Sequence, residues 1–430
     1  MNKMGKIEFS QLQEQLYHEK MDNGLEVYIL PKPEFNKTFA TFTTKYGSID
    51  NQFIPLAQQE MAKVPDGIAH FLEHKLFEKE DGDVFQQFSK QGASANAFTS
   101  FTRTAYLFSC TSNFQENLET LIDFVQDPYF SEKTVEKEKG IIGQEITMYD
   151  DNPDWRLYFG TIQNMYKNHP VKIDIAGTIE SISHITKDLL YTCYETFYHP
   201  SNMLLFVVGP VDAEQVMTQI RDNQAQKDYQ EMPEITRHFD QEPDTVAEKK
   251  QVLKMPVQSS KCMIGLKAKN PQRSGNEMLR HELAMNVILD HAFGKSSSYY
   301  EELYTDELID ETFSYDYTEE QGFGFALIGG DTEQPEKLYE RVKQILLELK
   351  TKPLSEEELE RVRKKKIGAF LRSLNSPEFI ANQFTRYAFN DMNLFDVVET
   401  LEKLTVADIQ QVMDDTINEE SFTVCEVVPK

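Results

Sequence analysis

The run Gly67-Ile68-Ala69-His70-Phe71-Leu72-Glu73-His74-Lys75-Leu76-Phe77 places two imidazoles and a carboxylate close together in an otherwise apolar segment. If the segment is helical, residues four apart lie one above the other, so His70 and His74 point the same way. That is two ligands of a metal site, and the reading is zinc. Glu73 follows His70 by three residues, near enough on the same face to reach a water in an open coordination position without binding the ion itself. This is the place of a general base. Chance accounts poorly for the pattern: with 9 His in 430 residues, a random chain shows it in about two cases per hundred. Ile68, Leu72, Leu76 and Phe77 make this a core-facing helix, where imidazoles need partners that metal ligation would supply.

The order His-x-x-Glu-His reverses the commoner His-Glu-x-x-His signature and is the inverzincin pattern. A third ligand must come from elsewhere. Val135 to Glu145 reads as a helix in which Glu138 and Glu145, nearly two turns apart, project from one face. One would bind the ion and the other would support it from behind. Glu132 and Glu136 read as solvated.

With these residues in place the chain resembles the pitrilysin, insulin-degrading enzyme and mitochondrial processing peptidase family of zinc peptidases. That family's motif is His-x-x-Glu-His followed some seventy positions later by Glu-x(6)-Glu. Here Glu145 lies 71 positions after His74 and Glu138-x(6)-Glu145 fits. Within the family the pattern is most similar to the small bacterial zinc-protease subgroup labelled YmfH. The resemblance implies that His70, His74 and Glu145 bind Zn2+, that Glu73 is the catalytic base and that Glu138 is the supporting carboxylate. Gly92 to Ser100 looks like the family's edge strand, on which Asn96, Ala97 and Phe98 would take the substrate backbone as an added strand. The implied fold is α+β: two homologous α/β-sandwich halves from a degenerate tandem duplication, each a mostly antiparallel sheet covered by helices.

One part of the family pattern is broken. The second half of active members usually presents a glycine-rich turn, then an Arg and, seven residues later, a Tyr that hold the substrate carbonyl. Phe293 to Leu303 fits the turn, but the expected Arg falls at Tyr304 and the expected Tyr at Glu311, with Tyr315 and Tyr317 out of register. Losing one such donor costs about a hundredfold or more in rate. The reading is a zinc metallopeptidase with metal-activated water deprotonated by Glu73, and the resemblance implies that it cleaves short or unfolded peptides. The missing donors would come from a homologous sister chain in a heterodimer, a homodimer being the alternative partner. The competing function is a peptide-binding, non-proteolytic subunit of such a complex. A structural zinc site is a third possibility, against which stands Glu73 in the base position, since structural zinc is normally closed by four protein ligands.

The whole chain sets outer bounds. Its 430 residues suit two to three domains. Cys110, Cys193, Cys262 and Cys425 are scattered without a Cys-x-x-Cys pair, so neither a disulfide framework nor a cysteine metal site is expected. Met1 to Lys20 lacks the apolar core of a signal peptide, and the longest apolar run, Met203 to Val208, is too short to cross a bilayer. A cytoplasmic setting is the expectation, without membrane insertion. A net charge of -27 disfavours nucleic acid. Lys364-Lys365-Lys366, the one basic cluster, reads as a solvated helix face.

In chain order, Glu26 to Leu30 and Phe39 to Lys45 read as strands, followed by the His70 helix and a helix from about Asp83 to Lys90. The edge strand and a strand at Thr104 to Cys110 come next. Asn113 to Phe124 is helical, Ser131 is the N-cap of the Glu138 helix, and Asn152-Pro153 interrupts that helix. Ser183 to Phe197 reads as one helix and Leu204 to Val208 as the closing strand. Polar residues from about 221 to 250 suggest a linker between a catalytic half, 1–220, and a homologous half, 251–430. In the second half the pattern recurs: a strand at Lys261 to Lys267, helices at Arg280 to Phe293 and Ser355 to Leu374, and Ser376-Pro377 standing 224 positions after Asn152-Pro153. At that offset Glu138 and Glu145 correspond to Val362 and Ala369, while Leu289-Asp290-His291 echoes Leu72-Glu73-His74 and sets Val287 opposite His70. No second metal site is expected. His281-Glu282 lacks a second His four residues on, and His18, His169, His184, His199 and His238 have no ligand partner at helical spacing.

Overall fold

The computed structural model describes residues 4–56, 58–80, 82–269, 272–352 and 354–430; of the amino-terminal stretch read above, residues 1–3 lie outside the described residues. Two sheets organise the chain. The first contains β1 (Gly5–Phe9), β2 (Glu14–Lys20), β3 (Glu26–Pro31), β4 (Thr38–Thr44), β5 (Ala93–Thr99), β6 (Thr104–Cys110) and β7 (Met203–Gly209), and the second β8 (Lys250–Met255), β9 (Lys261–Lys267), β10 (Ser314–Glu320), β11 (Phe323–Asp331) and β12 (Phe422–Pro429). Every residue of β4 and β7 is buried, as expected of central strands covered on both faces. By contrast β5 alternates between exposed and half-buried positions over most of its length, the mark of an edge.

The strand orders carry the duplication. The first sheet runs β1-β2-β3-β7-β4-β6-β5 and the second β8-β12-β9-β11-β10. After removal of the β1–β2 hairpin, the two permutations are identical. Each has one parallel pair, β7 with β3 and β12 with β8, and is otherwise antiparallel. The sequences have drifted, but the topology is α+β in both copies.

Six helices bear on the argument: α1 (Ile68–Leu76), α2 (Glu132–Asp151), α3 (Pro153–Met165), α4 (Gly275–Phe293), α5 (Glu356–Ser373) and α6 (Pro377–Phe389). Ser131 caps α2, its Oγ accepting from the Thr134 N–H at 3.3 Å. Asn152 interrupts the helical run and caps α3, its Oδ1 accepting from the N–H groups of Asp154 and Trp155 at 2.9 and 3.1 Å with Pro153 at the first helical position. The helix expected from Ser183 to Phe197 runs from Lys187 to Phe197, and Ser183 ends a separate short helix, Ile179–Ser183. The break falls at Thr186, whose hydroxyl accepts from the Leu189 N–H at 3.3 Å and opens the second helix.

The chain folds as two compact units that are not contiguous in sequence. The first comprises Met1–Ile146, Asp174–Phe239 and Ser373–Phe389; the second comprises Thr147–Ile173, Asp240–Arg372 and Asn390–Lys430. This grouping differs from a cut into 1–220 and 251–430, because a helix after each proline joins the sheet of the other half. In the second unit α3 lies on β9 and β12, with Asn164 donating to the Val424 carbonyl at 3.1 Å. The approach is close enough that a Cβ at Gly160 would sit 2.7 Å from Cys425 Sγ. In the first unit α6 lies on β4 and β7. There the Phe384 ring lies tilted 4.8 Å from both Tyr28 and Phe206, and Lys45 Nζ donates to the Phe389 carbonyl at 2.7 Å. The polar stretch 221–250 is also engaged. Arg237 bridges Phe53, and its guanidinium donates to Asp50 at 2.7 Å within the first unit. In the second, Glu242 accepts from the N–H groups of Lys167, Asn168 and His169. No helix among the described residues is long and apolar enough to cross a membrane.

Candidate metal centre

Helix α1 starts at Gly67, which has φ 88°. A side chain there would be strained by that angle and would place its Cβ 2.3 Å from the Ala176 carbonyl oxygen. The helix that follows is buried at every position except His74, which is half-buried. His70 and Glu73 are 9% and 7% exposed, so their polar atoms depend on the protein for partners.

Helix α2 faces the two imidazoles. One ligand atom from each of His70, His74 and Glu145 lies within 4.8 Å of the others, the only such group among the described residues. The Nε2 atoms of His70 and His74 stand 3.9 and 3.7 Å from the two Glu145 oxygens. These distances are too long for direct hydrogen bonds. They are near the roughly 3.3 Å that separates two donors on one tetrahedral zinc with bonds of about 2.0 Å. His70 Nδ1 is buried with no hydrogen-bond partner. Two imidazole Nε2 atoms facing a carboxylate at non-bonding distance in a buried setting are matched by an ion between them. The residues fit a zinc ion, offering it two nitrogens and a carboxylate, and no fourth ligand type among the described residues joins the group.

Glu138 takes a different place on the same helix. Its Oε1 lies 3.2 Å from His74 Nδ1, so it orients that ring and turns Nε2 toward Glu145. The surroundings set the protonation states. Burial, then the neighbouring charge of His74, pulls the His70 pKa down to about 4, leaving a neutral imidazole with a lone pair to give. For His74 burial acts downward, but the Glu138 hydrogen bond and the charges of Glu73, Glu138 and Glu145 outweigh it and raise the pKa. Burial also works against ionised Glu138, yet its bond to His74 holds its carboxyl below the usual range. Glu73 is pushed up to about 7 by burial, against a hydrogen bond from Thr99. Such a group can take up and return a proton near neutral pH.

The strand that the resemblance implied is at an edge: among the described residues β5 pairs only with β6, and Asn96, Ala97 and Phe98 face Leu107, Tyr106 and Ala105 across the ladder. The Ala97 N–H is met by its neighbour's side chain, Asn96 Oδ1, at 2.9 Å. The Phe98 ring lies 5.7 Å from the Arg103 guanidinium. The strand is joined to α1 by a contact that the spacing did not reveal: Thr99 Oγ1 donates to Glu73 Oε2 at 2.6 Å.

The second half has an ion cluster at the corresponding place. Asp290, which aligns with Glu73, is 2% exposed. Its Oδ1 accepts from Lys365 Nζ at 2.6 Å and from the Tyr315 hydroxyl at 2.9 Å, and Lys366 Nζ lies 3.9 Å from Oδ2. Ammonium groups thus supply positive charge to this carboxylate, and Val287 is fully buried opposite the place of His70. The reading of Lys364-Lys365-Lys366 as a solvated face holds for Lys364 and Lys365, 75% and 51% exposed, although Lys365 also reaches Asp290; Lys366, 26% exposed and turned toward Asp290, departs from it. The clue available in the sequence was Asp290 itself, a carboxylate aligned with Glu73 in a buried helix. His281 is a core histidine, its Nδ1 2.6 Å from Glu319. Tyr304 is 59% exposed and Glu311 is exposed, while Tyr317 is buried and donates to Glu319 at 2.8 Å.

Comparison with known proteins gives the family. Residues 60–179 match the family model described as Insulinase (Peptidase family M16), and residues 184–366 match that described as Peptidase M16 inactive domain. The chain is 68% identical over 424 residues to the uncharacterized zinc protease YmfH of Bacillus subtilis, covering 99% of each. Among solved structures, an M16-like protein from Alicyclobacillus acidocaldarius superposes with a TM-score of 0.93 at 39% identity, over 97% of this chain and 99% of that one. A peptidase M16 inactive domain from Pseudomonas fluorescens shares the fold, with a TM-score of 0.80 at 16% identity over 96% and 98% of the two chains. The chain belongs to peptidase family M16.

Proposed function

We propose that this chain is a zinc-dependent endopeptidase of short or unfolded peptides, working in the cytoplasm. The observation that supports the reading most is the convergence of His70, His74 and Glu145, with Glu73 buried beside them and hydrogen-bonded to the edge strand. Zinc held by those three would polarise a peptide carbonyl and make water more acidic. The chain's own groups do the rest. Glu138 fixes the ring of His74, Glu73 takes the proton of the attacking water and passes it to the departing amine, and Asn96, Ala97 and Phe98 bind peptide backbone by strand addition. In this account an incoming carbonyl replaces Asn96 Oδ1 on the Ala97 N–H. Four buried thiols, none in a disulfide, support a reducing compartment.

The absence of Arg at Tyr304 and of Tyr at Glu311 supports a heterodimer with a homologous chain that supplies both, a homodimer being the alternative. The same absence favours a second reading, a non-proteolytic subunit that binds and presents peptide. Cleavage of an internally quenched, unstructured peptide by wild type and Glu73→Gln, each with full zinc and with its homologous partner present, separates the two. Loss of about a thousandfold or more in the variant is expected, from removal of a base in the reacting site. Equal rates in the two proteins would contradict the endopeptidase reading.

A further inference from the structure

Glu73 is held from outside its own helix, and counting protons shows in which direction. Thr99 Oγ1 has two oxygen neighbours, Glu73 Oε2 at 2.6 Å and Thr104 Oγ1 at 3.3 Å. A hydroxyl has one proton to donate. Thr104 gives its own to the Tyr46 carbonyl at 2.9 Å, so Thr104 is no better than an acceptor for Thr99. The carboxylate is the stronger acceptor, and 2.6 Å is the length of a charge-assisted O–H···O bond. The surroundings leave these groups little freedom. Thr104 and the rings of Tyr46, Tyr106 and Tyr198 are all 2% exposed or less, and the Tyr106 and Tyr198 hydroxyls are 2.8 Å apart. Thr99 itself lies in β5, paired with Thr104 in β6.

We infer that Thr99 is the positioning residue for Glu73. It pins Oε2, leaves Oε1 to exchange the proton, and ties the turn of the carboxylate to the strand that receives the peptide backbone. The inference rests on the reading of Glu73 as the base. One strand then sets both where a peptide lies and how the base is aimed, and a seated peptide steadies the aim by stiffening β5.

The test uses the whole chain with its homologous partner present, as Thr99→Val, which keeps the shape and removes the hydroxyl, and as Thr99→Ser, which restores it. Both are compared with Glu73→Gln and with the Thr99→Val/Glu73→Gln double variant. Zinc content, the visible absorption spectrum of the cobalt-loaded protein, and kcat and KM on an internally quenched unstructured peptide are measured. Thr99→Val should keep full zinc, hold KM within about twofold and lose about 10- to 100-fold in kcat, with Thr99→Ser within about threefold of wild type. The cobalt spectrum of Thr99→Val should move toward that of Glu73→Gln. In the Glu73→Gln background the valine should cost nothing further, because the two residues act as one unit. Wild-type kcat and an unmoved spectrum in Thr99→Val overturn the inference. So do loss of zinc, an effect on KM alone, or failure of serine to rescue, each of which marks a merely structural threonine. Full activity in Glu73→Gln is a separate failure, that of the base assignment.

Discussion

Glu138 and Glu145 share a helix face, yet only Glu145 faces both imidazole Nε2 atoms while Glu138 bonds the back of His74. Removing the carboxylate charge in Glu138→Gln keeps the shape and weakens the hold on the ring. Zinc affinity measured by competition with a chelator should fall about 10- to 100-fold without disappearing. Affinity equal to wild type would show that the ring needs no such support. A second titratable residue bears on stability. His169 is 3% exposed, its Nδ1 accepts from the Val171 N–H at 3.1 Å, and burial lowers its pKa to about 4. Since the folded value lies below the unfolded one, His169 contributes no penalty above pH about 6.5. As the pH falls from there to about 4 the unfolded chain takes the proton first and stability is lost, by about 3 kcal/mol in all. Urea unfolding should therefore show wild type losing that much more between pH 7 and pH 4 than His169→Asn, which keeps an acceptor but does not titrate. Parallel profiles would be the contrary result. At this scale the ligands were readable because a helix turns a spacing of four residues into a shared direction. Thr99 was not readable as a partner of Glu73, 26 positions away, because strand pairing and helix docking bring them together. Asp290 and Lys365, 75 positions apart, met for the same reason.

Among elements, β5 is the one on which the proposed function leans most. Its Ala97 N–H is satisfied by a neighbouring side chain at the free edge of the sheet, where a peptide strand would bring a carbonyl. Ala97→Pro deletes that donor and should reduce binding of an unstructured peptide to the zinc-loaded Glu73→Gln protein about tenfold or more, as one backbone bond in a desolvated groove is lost. Unchanged binding with an intact circular-dichroism spectrum would remove β5 from the substrate path. The elements themselves were largely legible, since the prolines at 153 and 377 and the cap residues punctuate the chain as their chemistry requires. The helix expected from Ser183 starts only at Lys187 because the Thr186 hydroxyl takes a backbone N–H at that point and caps it. What α3 and α6 do after their prolines was not legible. Each presents an apolar face, and a helical period does not say which of two similar sheets will receive it.

For the whole molecule, two sheets with one strand permutation but only one three-ligand group among the described residues describe a duplicated fold in which one copy carries the candidate metal ligands. The duplication was visible as a faint repeat of residues and is plain in the topology, which outlasts sequence because strand order cannot change by single substitutions. The second copy offers Tyr304 and Glu311 where active relatives are expected to carry Arg and Tyr, so mixing with a homologous chain that has both should raise peptide cleavage about a hundredfold or more over this chain alone. Substitution of that chain's Arg should abolish the gain, and full activity of this chain unaided would remove the need for a partner. The central claim is more elementary, that three side chains of the first copy hold one zinc and Glu73 does not. Metal analysis of the purified chain and its variants tests this directly. About one zinc per wild-type chain and per Glu73→Gln chain, with loss of the metal in His70→Ala and in Glu145→Gln, is the predicted result. Full zinc in both ligand variants, or its loss in Glu73→Gln, would contradict it.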